Sequence, residues 1–227
     1  MEIIYEDSDI IVCYKPAGIA AETGRIGQQD MVSLLRNYRA AKGEPPYIGM
    51  VHRLDQPVEG IMVFGKTQEA AGGLSRQIAD RSFGKYYCAV CRNRGEDLSA
   101  EWTTWTDYLL FDRKHNLSVV TDRGTPQAKR AQLDYRVIGQ KDDLVCFDIA
   151  LRTGRHHQIR LQMAHHGFAL VGDSKYGAES GKAAQGKQPA RRQLALCCYR
   201  LSFSHPATQK EMDVSIHPHN EIFNTWM

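Results

Sequence analysis

The stretch MVHRLDQPVEGIMVFGKT, residues 50–67, places an arginine and an aspartate two positions apart, Arg53 and Asp55, ahead of an apolar run. The run at residues 61–64 predicts a buried strand, and Thr67 is a suitable N-cap for a following helix. Asp55 is therefore expected at the end of a sheet, where its carboxylate could face a cleft. The residues around Asp55 do not by themselves decide its role. An aspartate in this position serves either in chemistry, as a nucleophile, a general base or a metal ligand, or in structure, as a turn or ion-pair residue.

Two helices and a pair of short strands are predicted around this stretch. The chain begins with two apolar runs around a polar turn, which is typical of two short strands. Asp30 is a suitable N-cap for a helix with apolar residues at helical spacing, and Gly43 with the two prolines after it ends this helix. A second helix after Thr67 has one apolar face and stops before Gly84.

From Lys85 onward, short β-type runs dominate the sequence, among them KYYCAVC, EWTTWTDYLL and LVCFDIAL. They are interrupted by TGRHHQIRLQMAHHG, in which Ile159 and Met163 predict a helix that begins just after Thr153 and ends at Gly167. Short strands with a few helices indicate an α+β fold built on a largely antiparallel or mixed sheet.

Composition restricts the class of protein and its compartment. Of the 227 residues, 42% are hydrophobic and 24% are charged, which is close to the average for globular domains. No apolar run approaches the roughly 20 residues needed to span a bilayer, and the N-terminus opens with acids rather than with the pattern of a signal peptide. We therefore expect a cytoplasmic protein without a membrane partner.

The net charge of +3 conceals an asymmetry along the chain. Residues 1–50 carry five basic and seven acidic side chains, whereas residues 151–200 carry nine basic and two acidic ones. Such a local excess of positive charge is the footprint expected for a polyanionic partner, although an ordinary solvated basic face is the alternative. Residues 177–193, rich in Gly, Ala, Gln and Lys, predict a mobile basic loop. Nucleic acid is the leading class of partner.

The spacing of cysteines and histidines argues against a metal site. Cys88 and Cys91 lie in a predicted strand, where their odd separation puts the two thiols on opposite faces. The six cysteines are therefore expected to be buried and reduced. His156 and His157 lie about two helical turns before the pair that begins at His165, too far for one ion to gather both pairs. We predict no bound metal.

Several short motifs follow one another along almost the whole chain. In chain order they are Tyr14-Lys15-Pro16-Ala17-Gly18, His52-Arg53-Leu54-Asp55 with Gly60, Lys85-Tyr86-Tyr87, Thr153-Gly154-Arg155 with His157-Gln158-Ile159-Arg160, Gly172-Asp173 with Tyr176-Gly177, and LSFSHP at 201–206. Together they resemble the ordered motifs of the RluA-type pseudouridine synthases. One block alone would be a weak signal, but this many in order at compatible spacing are highly specific.

The resemblance implies a role for each matched residue. Asp55 matches the family's catalytic aspartate, which attacks the target uridine so that the base detaches, rotates and rejoins its ribose through carbon 5. Tyr87 matches the tyrosine that stacks on the flipped uracil and is placed to help remove the carbon-5 proton. Arg155 matches the arginine that pairs with the aspartate. We expect further contacts with the substrate from Arg53, His52, Leu196, Arg160 and Lys15.

The chemistry of the implied reaction sets what else the protein needs. Extruding a uracil from an RNA stack costs a few kcal/mol, of which stacking on Tyr87 could return about 1 to 3 kcal/mol. The rearrangement has no net redox change and no group donor, so we expect neither metal nor organic cofactor. The expected partner is ribosomal or transfer RNA and not DNA. We further expect a monomer and a single catalytic domain over residues 1–227, without an N-terminal RNA-binding domain.

The sequence departs from the family pattern at places that leave alternatives open. Val58-Glu59 stand where Thr-Ser is usual, so that Glu59 adds a negative charge close to the aspartate. A non-catalytic RNA-binding protein that keeps the fold would explain this change. A metal-dependent nuclease that uses His156, His157 and nearby acids is a second alternative. The usual His-Ala after Leu196 is replaced here by two cysteines.

Overall fold

The structure is a computed structural model that describes residues 1–25, 27–93, 98, 100–177 and 193–226. Within them the chain mixes helices and strands, which confirms the predicted α+β class. The helices are α1 (Met31–Ala41), α2 (Gln68–Asp80), α3 (Gln158–His165) and a short 3-10 helix (Glu221–Phe223). The strands are β1 (Glu2–Glu6), β2 (Ile10–Lys15), β3 (Gly49–Met50), β4 (Glu59–Gly65), β5 (Gly84–Arg92), β6 (Thr103–Asp112), β7 (Leu117–Thr121), β8 (Lys129–Lys141), β9 (Leu144–Leu151), β10 (Leu196–Ser204) and β11 (Glu211–Ser215).

The chain divides into two compact units. Unit 1 comprises Met1–Lys85 and Cys198–Pro218, and unit 2 comprises Tyr86–Cys197 and His219–Met227. Strands β5 and β10 each contribute residues to both units, because the divisions fall inside them. The expectation of a single catalytic domain over the whole chain stays a prediction.

Unit 1 contains the strand order β1-β2-β4-β10, with β3 paired to β4 and β11 paired to β10. Strands β2 and β4 are antiparallel, with Lys15 opposite Gly60. Both strands are buried along their whole length, which explains why their sequences are nearly continuous apolar runs rather than alternating ones. Asp55 lies in the loop between β3 and β4, as expected from the sequence.

Unit 2 contains an antiparallel sheet in the order β5-β9-β8-β6-β7. Helix α3 packs against this sheet through a cluster of buried apolar side chains: Leu109, Ala131 and Leu161. The segment that carries Arg155 lies between β9 and α3, so the sheet and the helix fix both of its ends.

The predicted N-caps of the first two helices are confirmed. The Asp30 carboxylate accepts a hydrogen bond from the Ser33 amide at 2.7 Å, and the Thr67 hydroxyl accepts one from the Ala70 amide at 3.1 Å. Each contact satisfies one amide that has no partner within the first helical turn. Helix α1 ends ahead of Gly43, whose φ of 73° is the left-handed conformation typical of a helix terminus.

The predicted start of the third helix is wrong. The helix was expected just after Thr153 but begins at Gln158, because the preceding residues form a turn closed by a hydrogen bond from the Gln158 amide to the Arg155 carbonyl at 3.1 Å. His157 has a φ of 53°, a left-handed conformation that an α-helix cannot continue through. The predicted end is confirmed, since Gly167, with a φ of 91°, follows the last turn. Arg155 therefore lies in a turn and not in a helix.

Three other expectations concern the cysteines, membrane-spanning helices and the basic loop. All six cysteines are buried and free of disulfides, as predicted. In the part of the chain that the structure describes, no helix combines the length and apolarity required to cross a bilayer. Residues 178–192 of the predicted basic loop, which include Arg191 and Arg192, lie outside the described residues.

Candidate active site

The Asp55 loop is a turn fastened to the loop that follows β2. The Val58 amide donates to the Asp55 carbonyl at 3.0 Å, which closes the turn. The Gly18 amide donates to the Gln56 carbonyl at 2.8 Å, and the Gln56 side-chain amide donates back to the Gly18 carbonyl at 2.9 Å. Gln56, directly after Asp55, is thus held by two reciprocal hydrogen bonds.

Lys15 braces the same two loops from inside the protein. Its side chain is fully buried, and its ammonium donates to the carbonyls of Pro16 at 3.0 Å, Ile19 at 2.7 Å and Gln56 at 3.2 Å. Burial lowers the pKa of Lys15 to about 8, against the opposing influence of the Asp55 and Glu59 carboxylates. Predicted as a substrate contact, Lys15 has described contacts that are all with backbone carbonyls of the protein.

His52 and Arg53 occupy different environments although they are neighbours. The His52 Nε2 accepts a hydrogen bond from the Val63 amide at 3.1 Å, so in the neutral ring the proton lies on Nδ1. Burial, and then the charge of Lys85, lower the pKa of His52 to about 3. Its ring contacts Phe83, with 5.6 Å between the centroids. Arg53, in contrast, is exposed.

Gly60 is required by the close approach of two strands. Its φ of 137° is a conformation that side-chain-bearing residues rarely adopt. A Cβ at this position would lie 2.4 Å from the Cys198 carbonyl oxygen, closer than any real contact. The glycine of the Asp55 motif therefore has a physical explanation that is independent of the resemblance.

Glu59, which departs from the family pattern, is fully buried at the start of β4. The Tyr14 hydroxyl donates to its carboxylate at 2.5 Å, a length typical of a hydrogen bond to a charged acceptor. Glu59 is visible in the sequence as an added charge, but its partner is not. The two residues are 45 positions apart, and only their places in β2 and β4 bring them together.

Tyr87 and Leu196 belong to unit 2, and both are buried. Tyr87 lies in β5, opposite Ile149 of β9, and is 5% exposed. Leu196 is the first residue of β10 and is 3% exposed. Both are thus fixed by strands rather than by loops, which limits their motion.

Arg155 is anchored through its backbone and its guanidinium. Its amide donates to the Gln158 side-chain oxygen at 3.0 Å, and its Nε donates to the Arg130 carbonyl at 2.9 Å. The side-chain nitrogen of Gln158 donates in turn to the Gln132 carbonyl at 3.1 Å. Gln158, known from the sequence only as part of a motif, is one of the residues that connect this turn to β8.

Arg160, predicted to contact substrate, is buried in an ion pair. Its Nε and Nη2 donate to the two carboxylate oxygens of Asp173 at 2.8 and 2.7 Å, and both side chains are almost completely buried. The same carboxylate accepts the amides of Lys175 and Tyr176 at 2.8 and 3.1 Å. Burial alone would raise the pKa of Asp173, but its hydrogen bonds and the Arg160 charge leave it below its usual range. The motif that contains Arg160 and the motif that contains Asp173 are therefore joined, and the contact fixes a loop.

The histidines considered for a nuclease are engaged in hydrogen bonds within unit 2. The His156 Nδ1 lies 3.0 Å from the Ser118 hydroxyl, and the His157 Nδ1 lies 2.9 Å from the Tyr176 hydroxyl. Elsewhere among the described residues, potential ligand atoms come within 4.8 Å of one another in two groups, Asp107 with His165 and His166, and Asp7 with Asp9 and His205. In the first group one Asp107 oxygen already accepts from Gln162 at 2.6 Å and lies 3.0 Å from the His166 Nε2.

The predicted site residues fall in both units. Unit 1 holds Lys15, His52, Arg53 and Asp55, and the Lys15 brace brings the first of these to the Asp55 loop. Unit 2 holds Tyr87, Arg155, Arg160 and Leu196. The motifs of Asp55 and Lys15 were both visible in the sequence, whereas the contacts by which Lys15 and Gln56 hold the Asp55 loop were not.

Comparison with known proteins supplies the family and related enzymes. Residues 9–165 match the family described as RNA pseudouridylate synthase. The ribosomal large subunit pseudouridine synthase D of Zymomonas mobilis subsp. mobilis is 31% identical over 220 residues, covering 94% of this chain and 68% of that protein. The tRNA pseudouridine synthase C of Salmonella typhimurium is 25% identical over 238 residues, covering 100% of this chain and 87% of that protein. The chain spans between 55% and 68% of the length of its synthase D relatives.

Solved structures share the fold. Human RNA Pseudouridylate Synthase Domain Containing 4 gives a TM-score of 0.74 at 20% identity, covering 96% of this chain and 89% of that chain. Human RNA Pseudouridylate Synthase Domain Containing 1 gives a TM-score of 0.73 at 22% identity, covering 96% of this chain and 83% of that chain. The predicted pseudouridine-synthase-like fold is therefore confirmed.

Proposed function

We propose that this chain, which belongs to the RNA pseudouridylate synthase family, isomerises a specific uridine of ribosomal or transfer RNA to pseudouridine. Members of this family are isomerases that act on RNA. The observation that carries the proposal is the extent of the family match, because residues 9–165 include Asp55, Tyr87 and Arg155. Relatives named as ribosomal and transfer RNA synthases supply the two candidate substrate classes.

Asp55 is proposed as the nucleophile. In the reaction the bond from the ribose to N1 of the uracil breaks, the base rotates, and a new bond forms from the ribose to C5. The bond from Asp55 to the substrate breaks again in this step, C5 loses its proton and N1 gains one, so the product is an isomer of the substrate. A nucleophile must be held in a productive geometry, and the Lys15 and Gln56 contacts that fasten the Asp55 loop support this role.

Tyr87 and Arg155 are proposed as the other catalytic residues. The ring of Tyr87 would stack on the flipped uracil, and its hydroxyl would help to remove the C5 proton. The guanidinium of Arg155 stays charged at any working pH and would keep the catalytic aspartate ionised. Neither role requires a metal or an organic cofactor, and we propose none.

The remaining predicted contacts divide by exposure. We propose that exposed Arg53 binds a phosphate and that Leu196 forms an apolar wall against the flipped base. Lys15 and Arg160 are buried in contacts with the protein, so we propose that they support the substrate by fixing the loops around it. His52 would act in the same way, as a neutral ring. We further propose that the protein acts as a monomer in the cytoplasm and binds RNA rather than DNA.

Tritium release tests the activity directly. Ribosomal and transfer RNA labelled with tritium at uridine C5, prepared from cells lacking this protein, should release tritium to water when pseudouridine forms. Asp55→Asn should reduce this release by about 10³-fold or more, as loss of a nucleophile does. Asp122→Asn, which changes an exposed aspartate in the β7–β8 turn, is the matched control and should leave release unchanged.

Two outcomes would contradict the proposal in different ways. Release that persists in Asp55→Asn would remove Asp55 from the chemistry while leaving the isomerase intact. Tight RNA binding without release by the wild-type protein on either RNA would favour the non-catalytic alternative. Where the wild-type protein does release tritium, separate assays of the ribosomal and the transfer RNA distinguish the two substrate classes.

A further inference from the structure

We propose that Glu59 is a positioning residue of the active site and that its carboxylate holds the Asp55 loop through Tyr14 and Lys15. The inference rests on the proposed function of Asp55. It assigns a purpose to the residue that departs most visibly from the family pattern. The same departure suggested a non-catalytic RNA-binding protein as an alternative, and such a protein would not require the contacts described below.

The burial of Glu59 is the first observation. A glutamate is almost never fully buried unless it is paired, because removing its charge from water is costly. Here both Glu59 and Lys15 are fully buried, and Tyr14 is 7% exposed. Glu59 and Lys15 lie on adjacent strands of one sheet, and the Glu59 carboxylate favours the charged form of Lys15.

The position of Glu59 in the chain is the second observation. The turn closed between Asp55 and Val58 leads directly into Glu59, the first residue of β4. Tyr14 lies in β2, and its hydroxyl donates a hydrogen bond of 2.5 Å to the Glu59 carboxylate. One end of the Asp55 turn is therefore fastened to the neighbouring strand by a side-chain contact as well as by the sheet.

The charge on Lys15 is the third observation. An ammonium has three N–H donors, and Lys15 donates to three carbonyls, one of which belongs to Gln56 directly after Asp55. A neutral amine has only two N–H groups, so deprotonation would release one of these carbonyls. The charged groups that favour the ammonium are Asp55 and Glu59, which oppose the effect of burial on its pKa of about 8.

It follows that Glu59 should widen the pH range in which the loop is held. Removing its charge lowers the proton affinity of Lys15 further, so the third N–H is lost at a lower pH. The Asp55 carboxylate favours the Lys15 ammonium too, but it is the proposed nucleophile, so Glu59 is the one of these two carboxylates that takes no part in the proposed chemistry. Loss of the Glu59 charge should therefore reduce activity selectively on the alkaline side of neutrality.

The pH profile of tritium release by Glu59→Gln tests this. If the Lys15 proton affinity falls by about one unit, kcat should drop about tenfold near pH 9 but less than about twofold near pH 6.5. KM for the RNA should change less than about twofold, because RNA affinity arises largely from phosphate contacts. Tyr14→Phe keeps the ring and removes one oxygen, and it should lower kcat at every pH without changing KM. Glu69→Gln, at an exposed position in α2, is the control and should keep the wild-type profile.

Each result distinguishes the inference from the function it rests on. A folded Glu59→Gln with the wild-type profile, or with the same loss at every pH, would overturn the role through Lys15. Unfolding of both Glu59→Gln and Tyr14→Phe, seen by circular dichroism, would assign the pair to folding alone and also overturn it. An inactive wild-type protein, or an active Asp55→Asn, would instead contradict the proposed function.

Discussion

In unit 1 the Asp55 loop is tied to its neighbour by the ammonium of Lys15, whereas in unit 2 the Arg155 turn is tied to its sheet by the amide of Gln158. Both contacts reach backbone groups next to a proposed catalytic residue. The ammonium can lose a proton near neutral pH, because the pKa of Lys15 is about 8, but a carboxamide does not titrate. The contact that holds the Asp55 loop is thus sensitive to pH, whereas the contact that holds the Arg155 turn is not.

A second contrast isolates the effect of burial. Arg160 with Asp173 in unit 2 and Arg200 with Asp213 in unit 1 are both bidentate pairs, with N–O distances between 2.5 and 2.8 Å. The first pair is almost completely buried, whereas the side chains of the second are 39% and 54% exposed. The same geometry should therefore contribute very differently to stability.

The largest effect is expected from Asp173→Asn. This change leaves the Arg160 guanidinium buried without its counter-charge, which typically costs about 3 to 5 kcal/mol. It also weakens an acceptor for the Lys175 and Tyr176 amides. Urea unfolding followed by circular dichroism measures the loss. A loss of unfolding free energy below about 1 kcal/mol would show that the buried pair contributes no more to stability than the exposed pair.

The pH dependence of stability is expected to come largely from unit 1 at the acid end. His52 is neutral in the folded protein, with a pKa of about 3 against an ordinary value of 6.5. The unfolded chain therefore binds more protons in this window, and stability should fall as the pH falls from 6.5 towards 3. The contribution of one such group is at most about 1.4 kcal/mol per pH unit.

Urea unfolding between neutral pH and pH 4.5 measures this dependence. His52→Gln, whose side-chain oxygen can still accept the Val63 amide, should flatten it, whereas a change at exposed His217 should not. An unaltered slope in His52→Gln would assign the acid sensitivity to other groups. Lys15 acts at the other end, since its lowered pKa makes unfolding less favourable as the pH rises above about 8. Above that pH, activity should fall while the Lys15 contribution to stability rises.

The sequence was sufficient for the parts of this comparison that depend on local patterns. Asp30 and Thr67 cap their helices as predicted, because a cap is decided within one helical turn. The predicted start of α3 was wrong, because nothing in the sequence distinguishes the left-handed His157 from a helical residue. The Asp55 motif was visible, but the Tyr14 hydroxyl on Glu59 depends on strand pairing across 45 positions, which periodicity does not encode.

Lys15→Met should sharpen the contrast between the two loops. Methionine keeps most of the buried chain but releases the carbonyls of Pro16, Ile19 and Gln56, so we expect a loss of about 1 to 3 kcal/mol. Turnover in the tritium assay should fall more than RNA affinity, and its alkaline limb should disappear together with the titrating group. A retained alkaline limb would show that another residue limits activity at high pH.

Gln158→Leu is the corresponding change in unit 2. It removes the acceptor of the Arg155 amide and a donor to the Gln132 carbonyl, with an expected cost of about 1 to 2 kcal/mol. Because no titratable group is lost, turnover should fall by the same factor at every pH. A loss that grows with pH would mean that the two loops do not differ in the way their contacts suggest.

The smallest effect is expected from Asp213→Asn, the exposed counterpart of Asp173→Asn. The pKa of Asp213 lies below its usual range mainly because Arg200 donates hydrogen bonds to it, with a smaller opposing effect of burial. Water screens the pair and can solvate Arg200 when the charge is removed, so the change in unfolding free energy should be at most about 1 kcal/mol. Moderate salt should reduce the difference in unfolding free energy between wild type and Asp213→Asn, because salt screens exposed charges most strongly. The corresponding difference between wild type and Asp173→Asn should hardly change. If salt affected both variants equally, burial would no longer explain why these two pairs, so similar in geometry, differ in their contribution to stability.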